Sequence, residues 1–271
     1  MSLDIKKVYV DTRWRTSDSK SSTDFSIELP RSFTVPDNVV AYIDDIVLPV
    51  SFPTIYDRNN TLYFAWSLHP NISYDTIVID TGNYTGQSFS AALKTKLNEW
   101  ATSHFITPAP FDVIYDYVNN SIKITMSIAN SSLLIYSDDE LKQGGSYWSK
   151  IPNPKTLNKV LMLYKPTLIR PDLPLETFLD LHTTRNLYLT SSALCAYNSI
   201  SNFGNDTIIK KIPIKAGYNE MLYHDSGSGF DTLDITPRTL RYIDFKLVNA
   251  YFDTVDLRGN HWSFSIIFAQ K

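Results

Sequence analysis

Near each end of this chain, apolar and polar residues alternate with a period of two, and only one helical stripe interrupts the strand-like segments between. Asp24-Phe25-Ser26-Ile27-Glu28-Leu29 and Tyr242-Ile243-Asp244-Phe245-Lys246-Leu247 alternate strictly. Near the end, Phe264, Ile266 and Phe268 fall on one face and Ser263 and Ser265 on the other. Successive side chains of a strand point to opposite faces, so each segment reads as a strand with one buried side. Pro30 is expected to end the first. Val39 to Val50 is a longer apolar run broken at Asp44-Asp45, and Pro49 and Pro53 forbid a long helix there. Further strands are expected at residues 160–165, 184–191, 208–215, 238–250 and 262–268. Composition agrees: 17 Tyr and 14 Phe against only 9 Gly favour residues that fit a pleated surface.

The pattern changes near Asn59. Strands are expected at 61–67 and 76–80, followed by the turn Thr81-Gly82-Asn83-Tyr84 and Thr85, a good helix N-cap. Phe89, Ala92, Leu93, Leu97 and Trp100 then recur at helical spacing, which predicts a helix from about Gln87 to Ala101. Pro108 and Pro110 mark its exit, and two strands, 111–118 and 121–128, flank the turn pair Asn119-Asn120. The expected fold class is therefore all-β: a single jelly-roll sandwich with an inserted small α+β subdomain. Residues 1–59 and 160–271 would form a discontinuous jelly roll, and 60–159 the insert.

Charge and cysteine content exclude several functions. The chain has 25 basic and 28 acidic side chains, net −3, which argues against nucleic-acid binding through bulk positive charge and leaves at most a weak local contact. A single cysteine, Cys195, permits neither an intrachain disulfide nor a thiolate cluster; within Ala193-Leu194-Cys195-Ala196 it is expected to be a small buried hydrophobe. The histidines, His69, His104, His182, His224 and His261, are too widely spaced for a local zinc motif. Asp44-Asp45 and Asp138-Asp139-Glu140 lack the alternate-residue oxygen spacing of a calcium loop.

His224-Asp225-Ser226-Gly227-Ser228-Gly229 contains the residue types of a hydrolase triad, but neighbours in an extended loop point apart, so it reads as a loop tip. No glycine-rich phosphate cradle occurs. The expectation is no catalytic residue, no cofactor and no metal site. With no signal-like segment and no apolar run long enough to span a bilayer, the chain reads as a soluble protein of a reducing compartment. Two basic clusters remain as candidate partner or interface contacts. One is Arg13, Trp14 and Arg15, near Lys6 and Lys7; the other is Lys210 and Lys211, near Lys215.

The succession of segments is also familiar. Val8-Tyr9-Val10-Asp11-Thr12-Arg13, then Ser22 to Pro30, then Ile46-Val47-Leu48-Pro49-Val50-Ser51, resembles the opening of minor capsid (penton) proteins of Polinton/Maverick elements, virophages and polinton-like viruses. Gly82-Asn83-Tyr84-Thr85 followed by Phe89, Leu93, Leu97 and Asn98 is similar to a motif of the same proteins. So are Leu187 to Ser192, Ile208 to Pro213 and Val255 to Ser265. The resemblance implies a vertex subunit forming homopentamers at icosahedral fivefold positions. Its implied partners are a double-jelly-roll major capsid protein and a vertex spike or receptor, and its implied location is the virion capsid, assembled inside the host cell. No Arg-Gly-Asp tripeptide occurs, since Asn260 follows Arg258-Gly259, so integrin binding has no support. The alternative is a cellular lectin-like β-sandwich binding module.

Overall fold

The computed structural model describes residues 5–145, 148–182, 184–195, 207–225 and 232–271. It opens with strands β1 (Lys6–Asp11), β2 (Asp24–Val35) and β3 (Val39–Pro49). There follow β4 (Thr61–Leu68), β5 (Asn71–Val78), helix α1 (Gly86–Ser103), β6 (Phe111–Asp116), β7 (Ser121–Met126), β8 (Ser131–Ile135) and helix α2 (Asp138–Gln143). Next come β9 (Thr167–Ile169), β10 (Leu175–Phe178), β11 (Asn186–Thr190), β12 (Ile208–Pro213) and β13 (Met221–Asp225). The series closes with β14 (Leu233–Ile235), β15 (Arg238–Val248) and β16 (Ser263–Gln270). Two compact units result, one from residues 1–52 with 184–271 and the other from 53–183.

The first unit is a jelly roll. One sheet has the order β1-β16-β3-β13, with β14 also on β3; the other runs β12-β11-β15-β2, and every pairing is antiparallel. Counting β13 and β14 as one position, consecutive strands change sheet at every step except the β11–β12 hairpin, as in two Greek keys. Between the sheets lies an aromatic stack. Phe245 sits 4.9 Å from Phe264 and 5.5 Å from Phe25, and Trp262 stacks on Phe264 at 4.9 Å. Trp262 donates its indole N–H to the Ser22 carbonyl at 2.7 Å, so its one polar atom is satisfied inside the core.

Two irregularities that the sequence announced as strand breaks are bulges inside longer strands. Phe264 pairs with Ile46 but Ile266 pairs with Ile43, so Asp44 and Asp45 together oppose the single residue Ser265. The extra residue keeps both Ile43 and Ile46 facing the core, each 1% exposed. Likewise β2 does not end at Pro30. Leu240 pairs with Phe33 and Tyr242 with Glu28, so residues 29–32 bow out of register and the strand resumes. Pro30 is tolerated because β2 is an edge strand, where a missing N–H costs no ladder bond.

The second unit has two sheets, β5-β4-β8-β9 and β10-β7-β6, with α1 packed on β6 and β5. Thr85 caps α1 by accepting from the Ser88 N–H, and Phe89, Leu93 and Leu97 are fully buried, with Trp100 at 6% exposure. Trp100 meets Phe64 edge-on at 4.9 Å and Trp66 at 5.7 Å, and donates to Asp75 at 2.8 Å.

This unit extends further along the chain than residue 159. Val160, Leu161, Leu163, Ile169 and Leu175 all lie in its core, and the chain re-enters the jelly roll only at residue 184. Residues 160–165 are also not a strand. A 3-10 turn (Leu157–Lys159) leads into N–H bonds from Leu161 to Leu157 and from Leu163 to Asn158, and Met162 has φ 52°. An unbroken apolar run does not distinguish a buried strand from a buried turn, and here the side chain of Asn158 decides the matter. It donates to the Tyr136 carbonyl at 2.9 Å and to Asp138 at 2.8 Å, which fixes the turn.

Candidate assembly interface

Loop 12–23 follows β1 and, besides the Trp262–Ser22 bond already described, is held by three bonds between Thr12 and the strand entry at the other end of the chain. Thr12 N–H donates to the Trp262 carbonyl at 3.0 Å and Trp262 N–H donates to the Thr12 hydroxyl at 3.1 Å. That hydroxyl also bonds His261 Nδ1 at 3.2 Å. Arg13 folds back on Asp11, with Nε 2.9 Å from Oδ1 and Nη2 2.5 Å from Oδ2, while Asp11 also accepts the Arg13 backbone N–H at 2.9 Å. The hydrogen-bonded Arg13 guanidinium holds the Asp11 carboxyl below the usual carboxylate range, against the opposing effect of burial. Arg15 donates to the Thr12 carbonyl at 2.9 Å. Both guanidiniums are thus occupied in shaping the loop, and Trp14 is left 65% exposed between them.

Trp14 stands at the side of a groove of about 710 Å³ lined by residues 6–9 of β1 and 27–33 of β2. The groove is where an edge strand of one sheet meets an edge strand of the other. Lys6, Lys7 and Arg31 are exposed along it. Of the first basic cluster, Trp14, Lys6 and Lys7 thus share one groove with Arg31, whereas Arg13 and Arg15 do not line it.

The second cluster does not join it. Lys210 and Lys211 lie on β12, at the opposite edge of its sheet from β2. Between Leu189 and Thr190 the register of β12 slips by one, which leaves Ile209 as an extra residue. Ile209 and Lys210 are consequently both buried, at 2% and 4% exposure. Lys211 is exposed and stands opposite Tyr188. Lys210 is thus an interior residue rather than a solvated contact.

Other candidates resolve quickly. Cys195 is half-buried rather than fully buried; the buried member of that run is Leu194. His224 pairs with Ile46 and Asp225 with Asp45 along β3, while Ser226 and Ser228 lie outside the described residues. Among the described residues no group of three His, Cys, Asp or Glu side chains is placed to hold a metal ion. Among the described residues no helix is long and apolar enough to cross a membrane.

Sequence reasoning missed the tyrosines. Tyr9 (65%), Tyr223 (75%) and Tyr242 (58%) all project from jelly-roll strands into solvent. Their place on the outward phase of alternating segments was the available signal.

The topology places this chain among single jelly rolls that carry a large insertion between their third and fourth strand positions. No family model and no curated protein matches the sequence. Solved structures do match the fold. One is the crystal structure of the selenomethionine-labelled mavirus penton protein, with a TM-score of 0.53 and 8% identity, covering 99% of this chain and 100% of that one.

Proposed function

We propose that this protein is a structural capsid subunit of the penton type, associating into closed pentamers at the fivefold vertices of an icosahedral shell. One observation carries this reading: the likeness to the mavirus penton protein runs end to end through both chains, insert included, rather than through a sandwich shared by many proteins. The architecture supports it, because the exposed groove and aromatics of the jelly roll are features of an association surface. In this reading the protein catalyses no reaction. Its partners are its own copies and a double-jelly-roll major capsid protein, with a spike or receptor at the vertex. Its place is the virion capsid, assembled inside the host cell, and the resemblance in sequence to Polinton/Maverick and virophage proteins fits that setting.

Native mass spectrometry or electron-microscopic class averages of the purified protein test the reading. The expected species is a ring of five. A strictly monomeric or dimeric protein across concentration, salt and divalent ions would sink it, and specific binding on a glycan array would then favour the lectin-like alternative.

A further inference from the structure

The sheet β1-β16-β3-β13 has two outer strands of opposite electrostatic character. At β1, Lys6 and Lys7, with Arg31 across the groove, are exposed and make no ion pair among the described residues. At β13, Asp225 stands directly across from Asp45; both are exposed, and neither has a cationic partner among the described residues. Like charges directly opposite one another on neighbouring strands destabilise a sheet, so this pair carries a cost that the isolated chain does not relieve. Beside it Tyr223 projects, 75% exposed.

We propose that copies of this protein associate edge to edge, the β13 edge of one copy, led by Tyr223, seating in the β1–β2 groove of the next. The proposal rests on the vertex reading and assigns its self-contact to particular residues. Lys6, Lys7 and Arg31 supply the positive charge that Asp45 and Asp225 lack, and Trp14 gives the incoming tyrosine an aromatic wall. Strand direction agrees. β1, β16, β3 and β13 alternate in direction, so β13 runs opposite to β1. A copy rotated about an axis along the strands therefore offers its β1 antiparallel to β13, the more stable kind of pairing.

The charges also decide what does not form. Two β1 edges would oppose lysine to lysine and two β13 edges aspartate to aspartate, so both self-paired dimers are disfavoured. Only the contact between unlike edges remains, and repeated about a rotation axis that contact makes a ring.

The test is charge exchange, read by native mass spectrometry with far-UV circular dichroism as the control for folding. Lys6→Glu with Lys7→Glu, and separately Asp45→Lys with Asp225→Lys, should each weaken ring formation by about tenfold or more. The fourfold variant, with these four charges exchanged and Arg31 kept, should recover it. An equimolar mixture of the two double variants satisfies the contacts only in alternation, so it should give open chains or even-membered rings. Rings at wild-type levels from both double variants would overturn the edge contact and leave the vertex reading standing. A folded but monomeric fourfold variant would also overturn it. If a double variant fails to fold, the fourfold variant decides alone. A monomeric wild type would overturn both readings.

Discussion

Gly86 opens helix α1 where there is no room for a methyl group. A Cβ at this position would come within 2.2 Å of the Tyr115 ring, whose hydroxyl is tied to Asn120 at 2.9 Å. Gly86→Ala should destabilise the second unit by about 1–3 kcal/mol, the usual cost of overpacking, even though alanine is the better helix former. A thermal melt at or above the wild-type midpoint would refute that. Asp11 carries a second prediction at this scale. Its carboxyl titrates below the ordinary range in the folded chain because Arg13 bonds it. The stability from this pair is therefore present above about pH 4 and is lost as pH falls through the lowered folded value. Asp11→Asn should be less stable than wild type by about 1–2 kcal/mol at neutral pH, with the gap closing in acid. A gap that stays constant down to pH 2, measured by denaturant titration, would show that the pair contributes nothing through charge.

At the scale of elements, α1 has a clear stripe and a clear test. Leu93 is fully buried in the core of the second unit, so Leu93→Asp places an unpaired carboxylate there at a cost of several kcal/mol. Hydrogen exchange should show lost protection across residues 53–183 while β2, β3, β15 and β16 keep theirs; loss everywhere would mean a single cooperative core. The helix was legible in the sequence because Thr85 and the spacing of Phe89, Leu93, Leu97 and Trp100 are local signals. The strands holding Phe25, Phe245 and Phe264 were legible for the same reason. The bulges were not. Asp44-Asp45 and Pro30 look like strand ends when only neighbours along the chain are considered, and their register is set by β16 and β15, which come from elsewhere. Residues 160–165 misled in the same way, since the bonds of Asn158 to Tyr136 and Asp138 are contacts across the fold. Of the candidate interface, Trp14 with Lys6 and Lys7 was visible as a cluster, whereas Asp45 facing Asp225 appears only once β13 is laid on β3.

For the whole molecule, the second unit is built from one continuous stretch, whereas the first depends on both ends of the chain. Residues 53–183 expressed alone should fold cooperatively, with the Trp100 indole in its buried environment. A fragment giving only collapsed-coil NMR shifts would show that it needs the jelly roll.

The position of β16 has a consequence for synthesis. It lies between β1 and β3, and it leaves the ribosome after every other described strand. Until it arrives, β1 has no neighbour and its lysines line no formed edge, because such long-range pairing must await the last contributor. In the edge contact proposed above, a chain still lacking β16 would have no way to offer that edge to another copy. Under that contact, recruitment would depend on β16, and a chain cut before Ser263 would stay outside the ring.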